Sequence, residues 1–160
     1  MTNILKAADI SECGTYRYRL SRIWDTSKPL ALWIMLNPST ADADTDDNTI
    51  RKIVKFSRRD GQLGGLMVGN LFAFRSTDPK VMLRMGAHYA CGPENVEQLH
   101  TMLAQAAVVV CAWGKPGGPS VPPWLRSDQH RLWCLGTCKC GSPKHPLYLR
   151  DDTEFLRWPA

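Results

Sequence analysis

Four short apolar runs do most to limit how this chain can fold. They are Leu30–Leu36 (LALWIML), Gly65–Phe72 (GLMVGNLF), Ala106–Trp113 (AAVVVCAW) and Arg131–Leu135 (RLWCL). The first has no polar alternation, which suits a strand covered on both faces. Helical patterns separate the runs. Asp47 is placed as an N-cap, and Ile50, Ile53, Val54 and Phe56 or Ser57 follow helical spacing up to Gly61. That spacing predicts a helix from about Asn48 to Asp60. Asp78 and Pro79 start a short helix as N-cap and first helical residue. Pro93 opens another, with Val96, Leu99 and Leu103 as its buried stripe. A short helix fits Trp124 to His130. Ahead of all these, Tyr16 to Trp24 reads as a strand. Tyr16, Tyr18 and Leu20 alternate there with Arg17, Arg19 and Ser21, so one face is expected to be buried and the other wet.

Strands alternating with helices predict an α/β fold, a three-layer αβα arrangement. Its central sheet is expected to hold four mainly parallel strands plus an N-terminal edge strand. A length of 160 residues favours a single domain over 1–160 that can bury a core without staples. Hydrophobic residues at 44% and charged residues at 22% are ordinary for a globular chain. No stretch approaches the roughly 18 consecutive apolar residues of a membrane helix, so no membrane partner is expected. Met1–Lys6 has no basic start followed by an apolar run, so a cytoplasmic protein without a secretory signal is expected.

Reduced thiols are then the default for the six cysteines, Cys13, Cys91, Cys111, Cys134, Cys138 and Cys140. Cys134, Cys138 and Cys140 give C-x3-C-x-C, which matches no familiar zinc or iron–sulfur spacing. Neither a metal nor another cofactor is expected. The formal net charge of +5 suits an anionic partner such as DNA, RNA or a nucleotide. The charge is uneven: Asp42, Asp44, Asp46 and Asp47 precede Arg51, Lys52, Lys55, Arg58 and Arg59. That order complements a helix dipole. Oligomeric state is left open.

In a parallel sheet, ligands bind just outside the carboxyl ends of the strands. The first core strand ends at Asn37, the second at Asn70 and the third at Trp113-Gly114-Lys115, while the fourth leads toward His145. Each alone has a plain structural explanation. Asn37 before Pro38 can form an Asx turn. Asn70 can cap a neighbouring loop, His145 can sit on the surface, and Trp113 can be core packing. Their convergence on one rim points to a polar pocket for a nucleobase or nucleotide. Asparagine carries both a donor and an acceptor, as a base edge requires. Histidine can donate to a leaving group that gains negative charge. Ser39, Thr40 and nearby backbone N–H groups can hold a phosphate or a water. Phe72, Phe74 or Trp113 can stack on a base. Lys115, Lys139 and Lys144 can meet a phosphate backbone.

The segments Met35–Lys52 (MLNPSTADADTDDNTIRK), Val68–Pro79 (VGNLFAFRSTDP), Cys91–Leu99 (CGPENVEQL), Ala112–Gly117 (AWGKPG) and Gly141–Leu149 (GSPKHPLYL) closely resemble a bacterial and phage domain-of-unknown-function family. That resemblance spans roughly residues 15–150. More distantly, the strand ends resemble the uracil-DNA glycosylase superfamily. Met35-Leu36-Asn37-Pro38-Ser39 stands where one branch carries G-x-N-P-G, and Asn70 stands where the second strand ends in a base-reading Asn. Ala112-Trp113-Gly114 and His145-Pro146 match the third and fourth motifs. Met35 and Ser39 replace glycines of the pattern, and Leu147-Tyr148 replaces a common Ser-Pro.

The resemblance implies a uracil-DNA glycosylase-like fold and hydrolysis of an N-glycosidic bond in DNA. Asn37 would position water, Asn70 and Pro38 would help hold the base, and His145 would stabilise the departing anion. Asp42, or Asp47 if it is more than a helix cap, would supply a base. A nucleotide- or nucleoside-processing enzyme and a non-catalytic binding module are the other readings.

Overall fold

The computed structural model describes residues 3–159. Its strands are β1 (Leu5–Ile10), β2 (Arg17–Ile23), β3 (Leu30–Met35), β4 (Gly65–Asn70), β5 (Ala106–Cys111), β6 (Leu132–Cys134) and β7 (Leu156–Arg157). Its helices are α1 (Asn48–Arg58), α2 (Pro79–Arg84), α3 (Ala87–Cys91) and α4 (Asn95–Gln105). Short 3-10 segments cover Lys115–Gly117 and Pro123–Arg131.

The fold is α/β, with one mixed sheet of seven strands in the order β1-β2-β4-β3-β5-β6-β7. Strand β3 pairs in parallel with β4 and β5, and β5 with β6. The β1–β2, β2–β4 and β6–β7 pairs are antiparallel. The expected sheet of four strands and one edge is therefore too small. Strand β2 is an interior strand, because Leu5–Ile10 pairs along its outer side. The residues of β1 are exposed or half-buried, so it lacks the apolar pattern that marks a core strand. Strand β7 has two exposed residues and pairs with the outer side of β6. There the Arg157 guanidinium lies 4.1 Å from the Trp133 ring centre.

Residues along β3 alternate between two cores, one on each face of the sheet. Leu32 and Ile34 pack with Met67 of β4 and with Leu99, Met102 and Leu103 of α4. Ala31 and Trp33 face the other way, toward Ile50, Ile53 and Phe56 of α1. The indole N–H of Trp33 donates to Ser57 Oγ at 2.9 Å, which satisfies the buried polar atom of each residue. On β4, Gly69 lets α4 approach closely. A Cβ there would lie 2.6 Å from Leu99 Cδ2 and 2.9 Å from Met102 Cε.

Helix α1 begins as its sequence indicates, with Asp47 Oδ1 accepting from Ile50 N at 2.9 Å. Helix α2 likewise starts with Asp78 accepting from Lys80 N. In α4 the expected stripe shifts: Val96 is 40% exposed, and Asn95 and Met102 are buried alongside Leu99 and Leu103. The basic half of α1 ties down the C-terminal tail. Lys52 and Lys55 both bind Asp151, and Arg59 donates to the Asp151 and Thr153 carbonyls. The hydrogen bonds from Lys52 and Lys55 hold the Asp151 carboxyl down to about 2.

The expected wet face of β2 is covered. Of the residues expected there, Arg17 and Ser21 are buried and Arg19 is half-buried, while Arg22, which alternation places with Leu20 on the other face, is buried as well. The loop carrying Asp42 to Asp47, with Ala41 before it, lies on the Leu20 side and supplies acceptors to the two buried arginines. Arg22 donates from Nε to Asp46 Oδ1 at 2.7 Å, from Nη2 to the Asp42 carbonyl at 2.7 Å and from Nη1 to the Ser21 carbonyl at 2.8 Å. Arg17 donates from Nη1 to the Ala41 carbonyl at 2.8 Å. Strand β2 thus binds the loop through Arg17 and Arg22, while Arg19 donates to Gln105 Oε1 at 3.0 Å on the α4 side. No helix among the described residues is long and apolar enough to cross a membrane.

Removing one partner of a buried pair leaves the other uncompensated. Arg22→Ala should lower unfolding stability by about 3 kcal/mol, the low end for such pairs because Asp46 keeps some solvent contact. Urea unfolding of both proteins checks this, and a loss below about 1 kcal/mol would show that Arg22 does not organise the loop.

Candidate functional site

A cavity of about 530 Å³ opens at the carboxyl ends of β3 and β4 and beside the loop that follows β5. Four separate segments build its wall. Asn37 and Ser39 follow β3, Asn70 ends β4, Trp113 to Pro116 follow β5, and Cys138, His145, Leu147 and Tyr148 come from the segment after β6. Two further sides come from Asp47 and Thr49 at the start of α1 and from Ser76 and Thr77 after β4.

The loops after β3 and β4 are stitched to each other. Parallel pairing runs past the strands, with Leu71 N donating to the Met35 carbonyl and Phe72 N to the Leu36 carbonyl. Ser76 N donates to the Pro38 carbonyl at 2.9 Å. Asn37 Nδ2 donates to the Ser76 carbonyl at 2.9 Å and to the Pro38 carbonyl at 3.0 Å. These bonds consume the donor end of the Asn37 amide. Its Oδ1 has no hydrogen-bond partner among the described residues and remains an acceptor.

Asn70 is 1% exposed, and neither Nδ2 nor Oδ1 has a hydrogen-bond partner among the described residues. Buried amides without partners are uncommon and costly. The Asn70 backbone, in contrast, is fixed. Asn95, fully buried at the start of α4, donates from Nδ2 to the Asn70 carbonyl at 2.9 Å.

The imidazole of His145 has a defined tautomer. Leu147 N donates to His145 Nδ1 at 3.3 Å, so in the neutral ring the proton sits on Nε2. Burial pushes the His145 pKa below the usual histidine value, against the opposing pull of the Asp47 carboxylate. Arg17 also lines the cavity. Burial lowers its pKa to about 10, again against Asp47, so it stays cationic at neutral pH. Asp47 thus acts electrostatically on both groups while its Oδ1 caps α1.

The structure brings together Asn37, Ser39, Asn70, Trp113, Lys115 and His145. Trp113 sits there as packing. It is buried, meets Trp158 edge-on at 5.1 Å and donates its indole N–H to the Gly118 carbonyl. Gly117 fits against its ring, where a Cβ would lie 2.1 Å from Cδ1. Other expected residues stand off the wall. Asp42 is turned into its own loop, with Oδ1 accepting from Asp44 N and Thr45 N, and these bonds hold its carboxyl below the usual range. Phe72 and Phe74 pack against the α4-side core, with Phe74 edge-on to Tyr16. Pro38 is buried under the stitched loops, and Thr40, Lys139 and Lys144 are exposed away from the wall.

Arg17 carries the largest contribution that inspection of strand ends misses. Strand β2 runs antiparallel to β4, so its amino end reaches the rim where β4 has its carboxyl end. Arg17 N accordingly donates to the Ala73 carbonyl at 3.0 Å. The only sequence signal was an arginine in a strand that proves to be doubly covered. Among the described residues no group of three or more His, Cys, Asp or Glu is arranged to hold a metal ion.

Fold and cavity define an α/β protein with a ligand-sized cavity at the carboxyl ends of its parallel strands. Residues 17–147 match the family described as Protein of unknown function (DUF1643), and the chain belongs to that family. No curated protein and no solved structure matches it.

Because the fold favours neutral His145, stability is full above the ordinary histidine pKa. It falls as pH drops from that value toward the depressed folded one. Nitrogen-15 NMR of the imidazoles should show His145 protonated on Nε2 at neutral pH, with a midpoint below 6.5. A midpoint above 6.5 would mean that Asp47 outweighs burial.

Proposed function

We propose that the cavity binds a nucleobase and hydrolyses its N-glycosidic bond in nucleic acid, most of all DNA, in the manner of a uracil-DNA glycosylase-like fold. The observation that carries this reading is Asn70. It is a buried amide with both its donor and its acceptor unpartnered in the wall of a cavity shared with Asn37 and His145. A base edge offers the complementary acceptor and donor, and a hydrophobic or purely anionic ligand satisfies only part of that amide.

Hydrolysis adds water at the anomeric carbon while the bond from that carbon to the base nitrogen breaks with its electron pair. Asn37 Oδ1 accepts a hydrogen bond from the attacking water and orients it. The departing base gains negative charge, and the Nε2–H of neutral His145 donates to it. Of the two aspartates considered for the water's proton, Asp42 is committed to its loop and Asp47 lines the cavity. Asp47 Oδ2 takes that proton, which later passes to the released base.

A second reading has its own support. Lys139 and Lys144 stand off the cavity wall, and Lys52, Lys55 and Arg59 are engaged with the C-terminal tail. Fewer cations are then free to follow a polymer backbone, which favours a nucleoside or nucleotide substrate. A steep loss of affinity with salt marks a polyanion partner instead.

The test is base release from labelled single- and double-stranded oligonucleotides. They carry uracil, hypoxanthine, a G·T mismatch, hydroxymethyluracil or hydroxymethylated or glucosylated cytosine, and alkali cleaves the abasic sites. Asn37→Ala and His145→Ala should each lower the rate by roughly 100- to 1000-fold. If folded wild-type protein releases no base from any of them, DNA glycosylase activity on these bases is ruled out. Release from free nucleosides or nucleotides would then support the second reading, and binding without release would leave a module.

A further inference from the structure

Arg17 lines the cavity while being only 3% exposed. Its Nη1 is occupied by the Ala41 carbonyl at 2.8 Å. Its Nε is buried without a partner among the described residues. Its Nη2 makes no hydrogen bond among the described residues, and no carboxylate among them lies within ion-pair distance. Nε–H and Nη2–H form one edge of the guanidinium, with two nearly parallel donors. That fork matches two oxygens of a single phosphate or carboxylate.

Arg22 is the contrast within the same strand. It is equally buried, and its Nε, Nη1 and Nη2 all find acceptors, including the Asp46 carboxylate. Electrostatics around Arg17 leave it short of negative charge. Asp47 and Asp42 act on it from the loop, while Arg75 and Arg22 act against them. A buried cation is ordinarily matched by an anion with good hydrogen-bond geometry. Ser39 and Thr49 place hydroxyl-bearing residues on the same wall, and Thr49 lies in the first turn of α1, whose positive dipole end favours an anion.

We propose that the Nε–Nη2 edge of Arg17 binds a terminal oxyanion of the ligand, a phosphomonoester or a carboxylate, inside the cavity. The site rests on the cavity itself and not on the glycosylase reading, and a terminal phosphate goes with the nucleotide substrate of the second reading. Depth favours a terminal group. A phosphodiester within a strand must leave the pocket in two directions, whereas a monoester leaves in one. A cavity of about 530 Å³ falls within the range of small-molecule sites.

The experiment uses wild-type protein in a buffer free of phosphate and carboxylate. Inorganic phosphate, acetate, a set of 5′-nucleoside monophosphates and the matching nucleosides are titrated separately. One readout is the Nε–Hε NMR resonance of Arg17, and the other is affinity by calorimetry. The resonance should shift on adding phosphate or a monophosphate, and a monophosphate should bind at least about tenfold tighter than its nucleoside. A shift with acetate and not phosphate would assign the site to carboxylates.

Arg17→Gln should erase the preference, and Arg17→Lys, which keeps the charge and loses the fork, should retain only part of it. Should either variant fail to fold, the wild-type resonance still decides. An unmoved Arg17 resonance, with monophosphate and nucleoside bound equally, would overturn the oxyanion site and leave base binding standing. A shift with phosphate and no affinity for any nucleoside or nucleotide would do the reverse.

Discussion

Two buried arginines on β2 hold the acidic loop, and much of the functional end of the molecule depends on that contact. Arg22 and Arg17 donate to the carbonyls of Asp42 and Ala41, and Arg22 adds the Asp46 carboxylate. Desolvating a guanidinium costs several kcal/mol unless its donors are met. The loop therefore has to follow the arginines, and it passes over the second face of β2 in one path. That path ends at Asp47, which caps α1. The cap sets where α1 begins, and Ile50, Ile53 and Phe56 then meet Trp33 on the sheet. One ionic contact thus fixes a cavity wall and a core face together.

On the other face, Asn95 does comparable work with an uncharged group. Its Nδ2 donates to the Asn70 and Leu71 carbonyls, so it joins the start of α4 to the end of β4. Gly69 permits the close approach that this bond requires. The Asn70 backbone is held on one side by α4 and on the other by its pairing with Met35. A side chain on a backbone so constrained loses little further freedom when a ligand engages it, which is the condition for a preorganised site.

The legible parts of the sequence were those governed by local rules. The apolar runs of β3, β4 and β5 became interior strands, and Asp47 and Asp78 became caps because an Asx side chain before a helical pattern has one favourable geometry. Asking where strand ends would lie placed Asn37, Asn70 and His145 near one another, and they line one cavity. Arg17 escaped because it lies at the opposite end of an antiparallel strand, and antiparallel pairing with β4 is a long-range property. Alternation along Tyr16–Ser21 suggested a wet face, yet Arg17 and Ser21 are buried, because nothing within β2 announces the distant segments that cover them. Strands β1 and β7 form edges through backbone pairing, with side chains too exposed to leave an apolar period.

Asp47 gives the cavity an internal division of charge. One carboxylate acts on a cation, Arg17, and on a neutral donor, His145. For both groups burial disfavours the charged form, yet with different results. Arg17 starts from so high a pKa that it remains charged, while His145 starts near neutrality and burial keeps it uncharged. The cavity therefore offers a cation, the Asp47 carboxylate and a neutral N–H donor. A histidinium in the same cavity as Arg17 would raise the positive charge and draw anions without distinction. A neutral Nε2–H can strengthen its hydrogen bond as negative charge develops on a leaving group, which is where a donor contributes to rate rather than to binding.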